Sequence, residues 1–161
     1  METVYIETSV VSYLVARPRA ETVAHQWHVW TQDWWRLRRP IFECVISAEV
    51  LREAAEGDAE MSRLRLEALS TLTALRRTPA VGEVVDAFLV PGLLPAKAKA
   101  DAVHLAVATI YQVNFLLTWN LKHLSNAVIL SRLKTVTEQR GWRLPLVCTP
   151  VQLMGTIEYE G

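Results

Sequence analysis

A chain of 161 residues that is 51% hydrophobic can bury a core without disulfide or metal support, and it is too apolar to be disordered. Its 17 basic and 17 acidic residues cancel, which excludes broad electrostatic adhesion to nucleic acid but leaves local basic patches such as Arg36 to Arg39, Arg76-Arg77 and Lys122-His123. The apolar runs are broken by Asp, His, Lys or Pro short of the roughly 20 residues that a membrane span needs, and the first residues read into a strand rather than a secretion signal. The expectation is one domain over 1–161, cytoplasmic, with no membrane segment.

In chain order, Val4-Tyr5-Ile6 predicts a short strand and Val10 to Leu14 a helix, which the hydroxyl of Thr8 or Ser9 can cap. That explains the Thr-Ser pair but not Glu7. An acid at the carboxyl end of a first, central strand is poorly placed for solvation and well placed for a metal. After Arg17-Pro18 a long helix is expected from about Glu21 to Arg38, carrying Trp27, Trp30, Trp34 and Trp35. Spacings of three and four put Trp27, Trp30 and Trp34 on one stripe, as in core or dimer packing. Pro40 ends this helix, and Phe42 to Ile46 predicts a second strand.

Ser47 then caps a helix containing Glu49, Glu53 and Glu56, closed by Gly57-Asp58. Glu49 and Glu53 share a face that begins at a strand end. Another helix is predicted from Glu60 to Leu75, with a short edge strand near Leu75 to Thr78 and a brief helix over Val84 to Leu89. Cys44 and Cys148 lie in apolar strand-like runs, where thiols act as small hydrophobes.

From Ala100 to Tyr111 the small and aliphatic residues are nearly continuous, which predicts a helix buried on most of its circumference. Asp101 opens it, either as a helix-end charge or as a ligand, and His104 lies one turn on along the same face. Phe115 to Thr118 predicts a buried strand that delivers Trp119-Asn120 at its carboxyl end. A helix from beyond Asn126 to about Arg140 stops at Gly141, Leu146 to Cys148 predicts a last strand, and Thr149-Pro150 a final helical turn. Strands alternating with helices imply an α/β fold, a mainly parallel sheet covered on both faces.

The unusual polar groups are therefore Glu7, Glu53 or Glu49, Asp101 and Asn120, all at strand ends or on the helices that follow them. Hard oxygen ligands without a His/Cys cage suit Mg2+ or Mn2+, ions that support phosphodiester hydrolysis. No Gly-rich phosphate loop, nucleophile elbow or dinucleotide fingerprint competes with this reading.

At these residues the sequence resembles the PIN-domain family, and within it the VapC-type toxins of bacterial toxin–antitoxin pairs. VYIETSVVSYL is similar to the family's strand–acid–Thr–Ser opening, VISAEVLREA to its Ser-then-acid helix, KADAVHLAVA to its third-acid helix and FLLTWNLKHLSNA to its fourth site. The resemblance covers nearly the whole chain. It implies a PIN-like domain with a central parallel sheet of about five strands, and Mg2+- or Mn2+-dependent endonucleolytic cleavage of single-stranded RNA. It also implies a cognate antitoxin as partner and often a homodimer. Glu7 takes the first-acid position, where Asp is usual; the family's spacing of six residues from the strand-end Ser selects Glu53 over Glu49; Asp101 matches the third acid. Asn120 stands where many members have a fourth Asp. The missing charge motivates an alternative, a PIN-fold binding or assembly module with weak or no turnover.

Overall fold

The computed structural model describes residues 1–156. The first half of the chain forms β1 (Thr3–Ile6), α1 (Thr8–Val15), α2 (Val23–Leu37), β2 (Glu43–Ser47), α3 (Ala48–Ala54), α4 (Ala59–Leu69) and β3 (Thr73–Leu75). The second half forms α5 (Pro79–Phe88), α6 (Lys99–Ile110), β4 (Phe115–Leu117), α7 (Ala127–Gln139) and β5 (Leu146–Cys148). All strand pairs are parallel and the order is β3-β2-β1-β4-β5.

From β1 the chain steps outward through β2 to β3, then returns to the other side of β1 for β4 and β5. Crossovers between parallel strands are right-handed, so the two directions place α1 to α4 on one face and α5 to α7 on the other. Contacts of α1 with α2, α3 and α4, and of α5 with α6 and α7, follow that division. The order reverses between β1 and β4, the place where open α/β sheets form a crevice at their carboxyl ends.

Burial on both faces explains why β1 is an unbroken Val4-Tyr5-Ile6 run, each residue 0% exposed, and why α6 is apolar almost all round. Register levels the strand ends. Ile6 pairs with Leu117 and Leu117 with Cys148, while Tyr5 pairs with Val45, which brings Ser47 level with Glu7.

Trp34 is fully buried, and the half-buried Trp27 and Trp30 stack on Trp119, so the tryptophan stripe is core packing between α2 and the end of β4. Burial pushes the thiol of Cys44 up to about 11 and that of Cys148 to about 12, as expected of structural cysteines.

Several expected boundaries move. The helix expected over Val84 to Leu89 begins at Pro79, because the Thr78 hydroxyl accepts from Val81 N–H and Pro79 fits a first-turn position. The edge strand lies at Thr73–Leu75, before rather than after Leu75, because α4 already ends at Leu69. At Thr149-Pro150 the expected single helical turn forms, with Leu153 N–H donating to Thr149 O at 3.1 Å and Thr149 Oγ1 accepting from Gln152 N–H, and Gly155 with φ of 75° reverses the chain before a helix propagates. No helix among the described residues is long and apolar enough to cross a membrane.

Candidate functional site

Glu7 follows β1 directly, and its backbone N–H continues the ladder to Leu117 O at 3.1 Å. It is itself the cap of α1: Oε2 accepts from Ser9 N–H at 3.0 Å, so the hydroxyls of Thr8 and Ser9 do not cap the helix but serve the site. Glu7 Oε1 accepts from the Ser9 hydroxyl and, at 2.6 Å, from Thr118 Oγ1. Only 5% exposed, this carboxylate is held by three donors.

Glu53 approaches from α3. Its Oε1 accepts from Thr8 Oγ1 at 2.8 Å and from His104 Nε2 at 2.6 Å. Ligand atoms of Glu7, Glu53 and His104 all lie within 4.8 Å of one another. Glu49 faces elsewhere, bound through both oxygens to Arg52 at 2.5 and 3.2 Å.

Asp101 stands in the first turn of α6 but makes no capping bond; the N-cap is Ala98. Its carboxylate instead accepts from Asn120 Nδ2 at 3.1 Å and meets His123 Nδ1 at 3.1 Å. Asp101 is outside the Glu7, Glu53 and His104 group. The two halves are joined through Thr118, whose Oγ1 donates to Glu7 and accepts from Asn120 N–H at 2.9 Å. No helix starts at Leu121. Asn120 Oδ1 accepts from His123 N–H and caps a turn, while its amide nitrogen serves Asp101.

Behind Glu53 lies a polar chain unforeseen in the sequence. His104, 0% exposed, contacts Tyr5 OH through Nδ1 at 2.6 Å, and Tyr5 OH meets Ser47 Oγ at 2.6 Å. The available signal was His104 itself, since an imidazole inside an apolar helix needs partners. Those partners come from β1 and β2, and no local spacing reveals them.

Burial works against charge on Glu53, but the His104 and Thr8 hydrogen bonds and the Arg52 charge outweigh it and hold its carboxyl below the usual 4.5. Burial likewise opposes the His104 imidazolium, yet Glu53, Glu7 and Asp101 outweigh it and raise its pKa above 6.5. Burial pushes the Tyr5 hydroxyl well above its ordinary value, so it stays protonated.

Linkage gives each shift a pH limb. The lowered Glu53 value contributes stability that is complete above about 4.5 and lost as pH falls through the folded value. The raised His104 value contributes stability that is complete below about 6.5 and lost as pH rises through its folded value. The metal-free protein should therefore be most stable between those two values, and Glu53→Gln should flatten both limbs in melting curves recorded from pH 3.5 to 9.

Glu7, Glu53 and Asp101 suit a hard divalent cation in kind, being carboxylates at one sheet edge with lone pairs to spare. Glu53 Oε2 has no protein donor among the described residues. Glu7 and Glu53, with His104 beside them, offer ligand atoms close enough together to hold a cation.

No family model and no curated protein matches the sequence. Among solved structures, the chain is similar to one chain of the crystal structure of VapBC2 from Rickettsia felis bound to a DNA fragment from their promoter. The TM-score is 0.56 at 15% identity, over 91% of this chain and 98% of that one. The five parallel strands, the helices on both faces and this likeness together identify the fold as PIN-like.

Proposed function

We propose that the chain is a Mg2+- or Mn2+-dependent endoribonuclease cleaving single-stranded RNA, the toxin of a toxin–antitoxin pair, acting in the cytoplasm. The observation that carries this reading is the approach of Glu7 and Glu53 at the carboxyl edge of the sheet, where strand order reverses, with Asp101 tied to Glu7 through Asn120 and Thr118. In that role Glu7, Glu53 and Asp101 hold the ion, and Asn120 orients a water or a ligand beside Asp101. Once bound, the ion supplies Lewis-acid activation of water and neutralises phosphate charge. Ser9 and Thr118 keep Glu7 in place. The likeness to VapBC2 supports a protein antitoxin as partner, and a homodimer belongs to the same reading.

One observation favours the second reading, a PIN-fold binding or assembly module. Asp101 already accepts from the Asn120 amide and contacts His123, so both its oxygens have partners within the protein. Single-stranded RNA incubated with the purified protein and Mn2+ should be cut internally, and EDTA should stop the cutting. Intact RNA together with no Mn2+ binding by calorimetry would overturn the nuclease reading and favour the binding module.

A further inference from the structure

We propose that His104, backed by Tyr5 and Ser47, is a positioning residue that clamps Glu53 by Oε1 and leaves Oε2 as the oxygen available to a divalent cation. The proposal rests on the metal-site reading above and assigns a function to buried groups that the reading does not use.

The chain of contacts runs inward from the site. Two donors from different elements, His104 Nε2 on α6 and Thr8 Oγ1 on α1, converge on the same oxygen of Glu53 at 2.6 and 2.8 Å. A carboxylate gripped this way loses its freedom to rotate or to exchange oxygens. The grip holds in either protonation state of the ring. When His104 is neutral, Val50 N–H donates to Ser47 Oγ, Ser47 to Tyr5, Tyr5 to Nδ1, and Nε2–H to Glu53. When it is charged, Nδ1–H donates to Tyr5, which turns its own proton to Ser47, and Nε2–H still donates to Glu53.

Packing alone does not account for this arrangement. His104 and Tyr5 are both fully buried and Ser47 is 2% exposed, so phenylalanine and leucine at the first two would fill such space without any polar group to satisfy. A fully connected buried network instead restricts its members to one arrangement, and this one ends on a carboxylate of the candidate site. The edge-on contact of the Tyr5 and His104 rings, 63° between planes at 5.7 Å, fixes the imidazole from behind.

The variants His104→Asn and His104→Gln separate a clamp from its alternatives. Asparagine reaches only as far as Nδ1 and faces Tyr5, whereas glutamine carries an amide N–H to the place of Nε2. Isothermal calorimetry of Mn2+ binding to the full chain, with melting curves as control for folding, should show about 10- to 100-fold weaker binding for His104→Asn, the usual effect of losing a group that orients a ligand. His104→Gln should lie within about threefold of wild type if the donor is what matters. Wild-type affinity in a folded His104→Asn protein overturns the proposal. Equal weakening in both folded variants also overturns it, because the ring nitrogen would then be a ligand itself. Tyr5→Phe removes only the hydroxyl behind the ring and should weaken binding in the same direction if His104→Asn fails to fold; unchanged affinity there overturns the backing role. A metal-free measurement stands apart from the nuclease reading: the fall in melting temperature caused by His104→Asn should shrink by more than half when Glu53 is already Ala. Equal falls in the two backgrounds overturn the clamp. A wild-type protein that binds no Mn2+ overturns the metal site alone, and the metal-free comparison then decides the clamp.

Discussion

Replacing Asp101 by Asn is expected to lower Mn2+-dependent RNA cleavage by about 10²-fold or more while the protein stays folded. Losing a residue that merely orients a ligand costs 10- to 100-fold, and loss of a ligand charge belongs at or beyond the upper end. The fold should tolerate the change for reasons visible at the site. The Asn oxygen can still accept from Asn120 Nδ2, and the new amide can donate to His123 Nδ1 when that nitrogen is unprotonated. Asp101 makes no capping bond to α6, so no cap is lost. Cleavage rates under single-turnover conditions, beside thermal melts of both proteins, test this. Near wild-type cleavage by Asp101→Asn would remove Asp101 from the reaction and leave it as a partner of Asn120 and His123 alone.

Asn120→Asp is expected to move stability and metal affinity in opposite directions. In the metal-free protein the substitution sets a second carboxylate where an amide nitrogen now lies 3.1 Å from Asp101 Oδ1. A donor becomes a like charge, and one of the two groups must hold a proton or repel the other. A pKa displaced by about one unit corresponds to about 1.4 kcal/mol, hence a melting temperature lower by roughly 3–6 °C near neutral pH. Added Mn2+ should recover the deficit, because another anionic oxygen tightens the hold on a hard cation and ligand binding stabilises the folded state in proportion to ln(1 + [L]/Kd). The turn at 121–124 should survive, since Asp can accept from His123 N–H as Asn does. Melting curves across a Mn2+ titration distinguish the outcomes. Superimposable metal-induced shifts for the two proteins would place residue 120 outside the metal site.

The legible parts of this protein were those whose cause is local. Val4-Tyr5-Ile6, Phe115 to Leu117 and Leu146 to Cys148 read as strands because short apolar runs bounded by polar residues have few other solutions, and their parallel pairing follows from the intervening helices. Glu7 and Asp101 stood out because an acid at a strand end or in an apolar helix is costly without a partner. What escaped was non-local. Nothing near His104 announces Tyr5 and Ser47, which lie 99 and 57 positions away in the chain and meet it only once β1, β2 and α6 are assembled. Identical local signals also diverged with context. Thr-Pro opens a ten-residue helix at Thr78-Pro79, yet at Thr149-Pro150 it opens a single helical turn before Gly155 reverses the chain.

The central strand is also the first to be synthesised, and this orders the events of folding. β1 leaves the ribosome with both edges unpaired; β2 closes one within some forty residues, but the other waits for β4, and Glu7 meets Thr118 across 111 positions of chain. At a synthesis rate of about 5–20 residues per second, that edge stays open for several seconds or longer. During this interval the largely apolar strand offers a template for adventitious pairing. Chains that terminate before residue 115 therefore carry Glu7, Glu53 and Asp101 but lack both the strand that covers the second edge of β1 and the Thr118 hydroxyl that holds Glu7.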